Sequence, residues 1–272
     1  MRYRVPLRQL LPVVIITLWV TMALLGPLWA LEPNQIALPK ILLSHDSEAW
    51  LGYDDLGRPL WDRLVMGAQT SFVVALGVVT ISLIFGTLVG AISGYLGGWF
   101  DHVVTRIIDV FLAFPGILLA IALAGILGPG VENVVIALAV VGWVGFARLS
   151  RAQVLTIKHR DHVQAAVALG IAPPLIIIRH LIPLIMAPLI VEASFGVAAV
   201  VIAEAGLSFL GLGVQAPDAS WGSMIRDGTR YLLVAPHMIL VPGCGLMLVV
   251  LAANLLGDQL RDHLDVRTKN NR

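Results

Sequence analysis

The sequence predicts an all-α polytopic membrane protein with six crossing helices and both termini in the cytoplasm. Three observations carry that prediction. Of 272 residues, 58% are hydrophobic and only 13% are charged, against about 45–50% and about 25% in soluble domains. One core of this size cannot bury so much apolar side chain, which excludes a soluble enzyme or binding module as the default. The few charges also leave apolar runs of roughly 20 residues, enough for a helix to cross about 30 Å of hydrocarbon. Finally, Lys and Arg fall unevenly between the ends of those runs, as membrane insertion sorts them.

The first run, Leu10 to Leu31, carries no charge and follows Arg2, Arg4 and Arg8. A basic flank before an apolar stretch also describes a signal peptide. The run is long for that, and Leu28-Trp29-Ala30-Leu31 is a poor small-residue cleavage site, so a retained helix is expected. An acidic outer loop follows, with Glu32, Asp46, Glu48, Asp54, Asp55 and Asp62. The second run is Ser71 to Phe100 and the third is Val110 to Val131. Arg106 and Asp109 stand three apart where the third begins, the spacing of a helical ion pair. The fourth, Asn133 to Ala147, merges with Val131 across Glu132. The fifth, Leu181 to Ala203, is broken only by Glu192, and the sixth, Tyr231 to Gly257, is clean. Gly86, Gly90, Pro115, Pro188 and Pro242 interrupt these runs, as membrane helices tolerate. No ten-residue alternation suggests a barrel, and open strands would leave backbone groups unpaired in lipid.

With the N-terminus inside and six alternating spans, the cytoplasmic side holds 13 Lys and Arg and the outer side 5. The opposite orientation would invert that bias. Three parts follow: residues 1–70, a first helix with its outer loop; residues 71–257, a membrane core with a cytoplasmic loop at 148–183; and a tail at 258–272. The net charge of +1 argues against a nucleic-acid partner. The lone Cys244 excludes an intrachain disulfide.

Within the cytoplasmic loop, Asp161 suits an N-cap, and Gln164 three residues on has capping-box spacing. Ala165, Ala166 and Ala168 favour helix with little side chain. Gly170 is a natural stop, and Pro173-Pro174 keeps the helix from running on. A helix of about two turns, nearly free of bulk on one side, is therefore expected between two spans. It is either a docking peg for a cytoplasmic partner or an interfacial helix on anionic headgroups, which Lys158, Arg160 and Arg179 also suit.

The run Gln164-Ala165-Ala166-Val167-Ala168-Leu169-Gly170, followed by His180-Leu181-Ile182-Pro183, resembles the EAA loop of binding-protein-dependent ABC importer permeases. Further segments are similar to the dipeptide, oligopeptide and nickel branch of that family. They are the stretch from Trp50 to Arg58, Gly94 to Gly98, Ala113-Phe114-Pro115, Leu207 to Gly213, Ser220-Trp221-Gly222 and Asn254 to Asp262. The similarity runs in order from Trp50 to Asp265 and looks like the second of two permease subunits. It implies the type I ABC importer permease fold, the bacterial inner membrane, and import of peptides or nickel. It also implies partners: a homologous permease in a heterodimer, two cytoplasmic ATPases and an external substrate-binding protein. The ATPase-coupling loop would comprise Asp161, Gln164, Ala165, Ala166, Gly170 and Pro183. Gln164 departs from the acidic residue of the family pattern, and Pro173-Pro174 replaces small polar residues. The lysines Lys40, Lys158 and Lys269 follow no glycine, so no phosphate-binding G-x-x-x-x-G-K-[ST] loop exists. No cofactor is therefore expected in this chain, with ATP and Mg bound by the partner ATPases.

Glu192 lies mid-span, where a charge is costly and usually functional or inward-facing. It lines a path, meets a basic substrate terminus, or is a hydrogen-bonded carboxyl packed between helices. Glu204 is expected at the outer end of span five within reach of water, as a cap, a pair or a gate. Ser208, Gly211 and Gly213 belong to a glycine-rich outer segment that is a gate, a binding-protein contact or a plain re-entrant turn. The seven histidines are scattered, and no metal site is expected. Two other function classes compete. An ion-coupled secondary carrier would use Asp109, Glu192 and Glu204. An intramembrane serine protease would pair His237 with a membrane serine, but none flanked by glycine sits at matching depth in span four.

Overall fold

A computed structural model describes residues 7–47 and 49–264. Arg2, Arg4, Glu48, Arg267, Lys269 and Arg272, used above for charge sorting, lie outside them. The described residues form ten α-helices with short 3-10 and π pieces. They are α1 (Leu7–Leu25), α2 (Leu60–Leu96), α3 (Gly98–Leu112), α4 (Gly116–Leu127), α5 (Val131–Ile157), α6 (Asp161–Ala168), α7 (Pro173–Ile176), α8 (Ile182–Phe209), α9 (Trp221–Thr229) and α10 (His237–Leu264). Five segments are long and apolar enough to cross a membrane: α1, α2, α5, the continuous stretch Pro173–Phe209 and α10. The pair α3 and α4, bent by 86°, makes a sixth where the two helices count as one broken span.

That bend replaces the single straight span expected from Val110 to Val131. Pro115 has no N–H to donate, and its ring drives Phe114 out of the helical region. Helix α3 therefore ends at Leu112, and α4 restarts with Pro115 as its N-cap. Helix α2 begins at Leu60, well before the charge-free run, with Asp62 and Arg63 in its first turn. Its 37 residues extend about 55 Å, so its ends stand clear of the hydrocarbon and tolerate charge. The fifth span is likewise longer than its charge-free run. Pro173 and Pro174 occupy the first helical turn, where a missing N–H costs nothing. A π segment at Ile177–Leu181 joins α7 to α8, with the Ile182 N–H donating to the Ile177 carbonyl. Pro183 cannot donate to the turn before it, and the helix widens there.

Helices α2 and α5 make the tightest contact in the core. A Cβ on Gly86 or Gly90 would collide with the carbonyl oxygens of Trp143 and Ala147, and one on Gly94 would lie 2.9 Å from that of Arg151. The spacing is four residues on both helices, so three successive turns meet backbone to backbone. Small residues at this spacing are what permits close helix approach in a membrane. Ser150 Oγ adds a buried bond, donating to the Thr87 carbonyl at 2.9 Å. Helices α1 and α10 pack on the N-terminal half of α2, around Trp19, Met22, Leu60, Trp221 and Met238.

The outer loop folds around Asp54. Its Oδ1 accepts from the Leu56 and Arg58 amides, both at 2.9 Å. Its Oδ2 meets Arg58 Nε at 2.6 Å and Arg63 Nε at 3.2 Å. All three side chains are buried, so the charges expected to face water instead satisfy one another. Ser220 caps α9 in a reciprocal box with Ser223, and Trp221 Nε1 donates to the Leu64 carbonyl at 3.0 Å.

Gly90→Leu should drive a side chain into the α5 backbone and cost at least the 1–3 kcal/mol, roughly, of overpacking. Gly77→Ala meets only Val135 Cγ1 at 3.6 Å and should be neutral. Thermal unfolding in detergent checks this: only the Gly90 variant should lose midpoint or yield, and equal midpoints would contradict the packing.

Candidate functional site

Helix α6 hangs beneath the membrane core on a short turn after α5. Arg160, with extended backbone, occupies the N-cap and makes no side-chain cap bond. Asp161 is thus the first helical residue and not the expected N-cap; its charge complements the helix dipole instead. The expected capping box does not form either. Gln164 Nε2 donates to the Lys158 carbonyl at 3.0 Å, tying α6 back to the end of α5. An ionised glutamate at that position has no proton to donate to this carbonyl.

Gly170 closes the helix at a φ of +75°. Its N–H donates to the Val167 carbonyl at 2.9 Å, and the Ile171 N–H to that of Ala166 at 3.1 Å. These two bonds form the Schellman terminus, which favours glycine at this φ. Val163 and Ala166 are buried against Ile157, Ile176, Ile177 and Leu181. Ala166 was expected on the open, small-residue side. Three residues after Val163, it shares that residue's packed face instead. The open face carries Asp161, His162, Gln164, Ala165 and Ala168, with Val167 47% and Leu169 80% exposed at the helix end.

A second set of bonds ties the neighbouring helix ends together. Lys158 Nζ donates to the Gly94 carbonyl at 2.8 Å, joining the α6 turn to α2. Arg151 makes a two-pronged pair with Asp101 at 2.5 and 2.7 Å, and Ser93 Oγ donates to the same carboxylate at 2.6 Å. No local spacing announces these partners, because Asp101 and Arg151 lie far apart in sequence. The expected Arg106–Asp109 pair does not form among the described residues. Both side chains are exposed, where an ion pair gains little. Pro183 lies exposed in the first turn of α8, just past the π segment.

Near the C-terminal end of α8, away from α6, Glu204 is 1% exposed. It was expected within reach of water. However, α8 continues past it to Phe209, and Gly222 of α9 sits on the Ala205 backbone. Ser208 Oγ donates to Glu204 Oε1 at 2.7 Å, and Ser71 Oγ to Oε2 at 3.1 Å. Gly211, at a φ of +84°, ends α8 as Gly170 ends α6: its N–H donates to the Ser208 carbonyl at 3.0 Å. Gly213 lies so close to Ser208 that any Cβ would overlap its hydroxyl. Glu204, Ser208, Gly211 and Gly213 are thus gathered at one helix end.

Glu192 stands apart from that group. It is half-buried near the middle of its 37-residue helix, and its Oε1 lies 3.5 Å from where a Gly145 Cβ would be. It makes no hydrogen bond or ion pair among the described residues, so the bonded-carboxyl alternative is not formed within this chain. Glu192 and Glu204 are about 18 Å apart along α8, and Asp109 is exposed on α3. The acids invoked for an ion-coupled carrier are not assembled into a relay. His237 Nε2 is 3.2 Å from the Tyr53 carbonyl, held in the outer loop contact.

Val163→Ala should loosen the α6 seat and raise amide exchange over residues 163–171 by about tenfold, a cavity effect of roughly 1.4 kcal/mol. Ala165→Ser, on the open face, should leave exchange unchanged. Equal exchange in the two variants would contradict the packing.

Residues 86–270 match the family described as "Binding-protein-dependent transport system inner membrane component". The chain is 43% identical over 257 residues to the dipeptide transport system permease protein DppC of Alkalihalophilus pseudofirmus, covering 94% of this chain and 84% of that protein. It is 41% identical over 223 residues to the glutathione transport system permease protein GsiD of Pectobacterium atrosepticum, covering 82% and 74%. To the nickel transport system permease protein NikC of Escherichia coli it is 37% identical over 256 residues, covering 94% and 92%. Among solved structures, the fold is similar to that of the inward-facing MetNI methionine ABC transporter. The TM-score is 0.60 at 18% identity, with 75% of this chain and 97% of that chain covered. The chain belongs to the binding-protein-dependent inner-membrane components, the multi-pass permease subunits of ABC importers.

Proposed function

We propose that this chain is one of two homologous permeases in an ATP-driven importer of the bacterial inner membrane, with both termini in the cytoplasm. Two cytoplasmic ATPases bind ATP and Mg, and an external substrate-binding protein delivers the cargo. This chain contributes no nucleotide site, in keeping with the missing phosphate loop. Peptides are the proposed cargo, supported by the dipeptide and glutathione relatives. Nickel is the second reading, supported by the nickel relative.

One observation carries the proposal. A short helix is seated on the cytoplasmic ends of α5 and the α7–α8 stretch by its inner face, while its outer face is open. ATPase closure would push α6, and the bonds from Gln164 and Lys158 would pass that push to α5 and α2. ATP then shifts the permease only through a differential preference for one conformation. Asp161, Gln164, Ala165 and Gly170 present or shape the contact, Ala166 seats it, and Pro183 marks the widened turn beside it. Glu192 faces the path. Glu204, Ser208, Gly211 and Gly213 brace the outer end of α8 as a gatepost.

With Cys244 replaced by Ser, Ala165→Cys and Ala168→Cys should crosslink to an ATPase subunit in the assembled transporter. Gly170→Asp and Ala165→Trp should abolish ATP-driven uptake while leaving membrane insertion intact. Full uptake by both variants, absence of any ATPase crosslink, or uptake by this chain alone would overturn the proposal.

A further inference from the structure

Glu192 is a carboxylate near the middle of a membrane helix with no partner in its own chain among the described residues. Such a group in hydrocarbon is costly, so it faces water, a partner charge or a ligand in the assembly. The surroundings narrow this choice. Residues 191–197 of α8 are all partly exposed, with no fully buried side chain among them. The facing residue on α5 is Gly145, where an added Cβ would meet only Glu192 Oε1, at 3.5 Å. Helices α5 and α8 are also the two that hold α6 between them. The open strip between Gly145 and Glu192 therefore lies on the helices that α6 would move.

From this juxtaposition we propose that Glu192 is a cation-recognising point in the transport path, which binds the primary ammonium group of the passing solute. The inference rests on the importer reading and adds the substrate chemistry. A lone carboxylate suits an ammonium, which takes charge and hydrogen bonds from one acceptor. Transition metals call for nitrogen or sulfur donors, and among the described residues no three His, Cys, Asp or Glu side chains gather. Glu192 would hold the ammonium weakly enough to release it, because it is a single contact on an open strip.

The experiment uses the assembled transporter carrying Cys244→Ser, Arg148→Gln and Gly145→Cys. Arg148 is exposed one turn along α5 from Gly145, and its removal leaves Glu192 as the charge being read. Methanethiosulfonate reagents ending in a primary ammonium or a sulfonate are compared, with Glu192 present or replaced by Gln. With Glu192, the ammonium reagent should label about tenfold faster than the sulfonate, the ratio a unit charge one side chain away produces in water. With Glu192→Gln the two rates, each divided by that reagent's rate with a small thiol in solution, should become equal, and the tenfold ratio with Glu192 is read on the same normalised scale. No labelling from water overturns the proposal, because the strip is then sealed. Equal rates with Glu192, turning to sulfonate preference in the Glu192→Gln variant, also overturn it, because a base of the partner permease then holds the carboxylate. ATP-driven uptake measured on the same preparation tests the importer reading separately, since the labelling ratio reads Glu192 whether or not uptake survives.

Discussion

The structure depends on the backbone contact between α2 and α5. Lipid tails are as apolar as leucine, so no hydrophobic effect pulls these helices together inside the bilayer, and association rests on close packing. Gly86, Gly90 and Gly94 supply that closeness against Trp143, Ala147 and Arg151 over three turns. The turn before α6 and the start of α3 are fastened to this pair. Lys158 reaches the carbonyl of Gly94, the last glycine of the ladder, and Arg151, whose backbone meets that glycine, holds Asp101 at the start of α3.

This arrangement makes α6 a continuation of the membrane core. Its inner face is buried with Ile157 of α5 and with Ile176, Ile177 and Leu181 of the stretch leading into α8. A short helix alone in water is marginal; here burial and the bonds at both ends hold it. The Gln164 bond to the Lys158 carbonyl supplies a tie within the chain at the position where the family pattern has an acid. The opposite end of the bundle is braced by different means, through the buried Asp54 hub and the serine-bonded Glu204. The middle of α8 between these braces is partly exposed, and Glu192 sits there.

Much of this was legible in the sequence, because the bilayer is a strict solvent. Charge-free runs overlap the five long apolar segments and α4, while most of α3, with Asp101, Arg106 and Asp109, lay outside them, and the Asp161 to Gly170 stretch announced its helix. Helix ends were less legible. Asp62 and Arg63 look like loop residues until Asp54 is seen to neutralise Arg63. Pro115 signalled an interruption, but an 86° bend is set by what the two halves pack against. The facing of Ala166 was invisible because its neighbours Ile176 and Ile177 come from beyond a turn. Glu204 was misjudged for depth, since the cover over it comes from α9, which no periodicity in α8 reveals. Composition left two alternatives for the loop, and only the family resemblance implied a coupling role.

The central claim is that α6 and the α2–α5 pair move as one body. The most direct test places spin labels at Ala168 and Leu96, both exposed, in a Cys244→Ser chain within the assembled transporter. The distance between them is read in the nucleotide-free and ATP-trapped states. The account predicts one unchanged distance in both states. A distance that changes on ATP binding would show that α6 slides independently of the helices it is held to move, and would contradict the account.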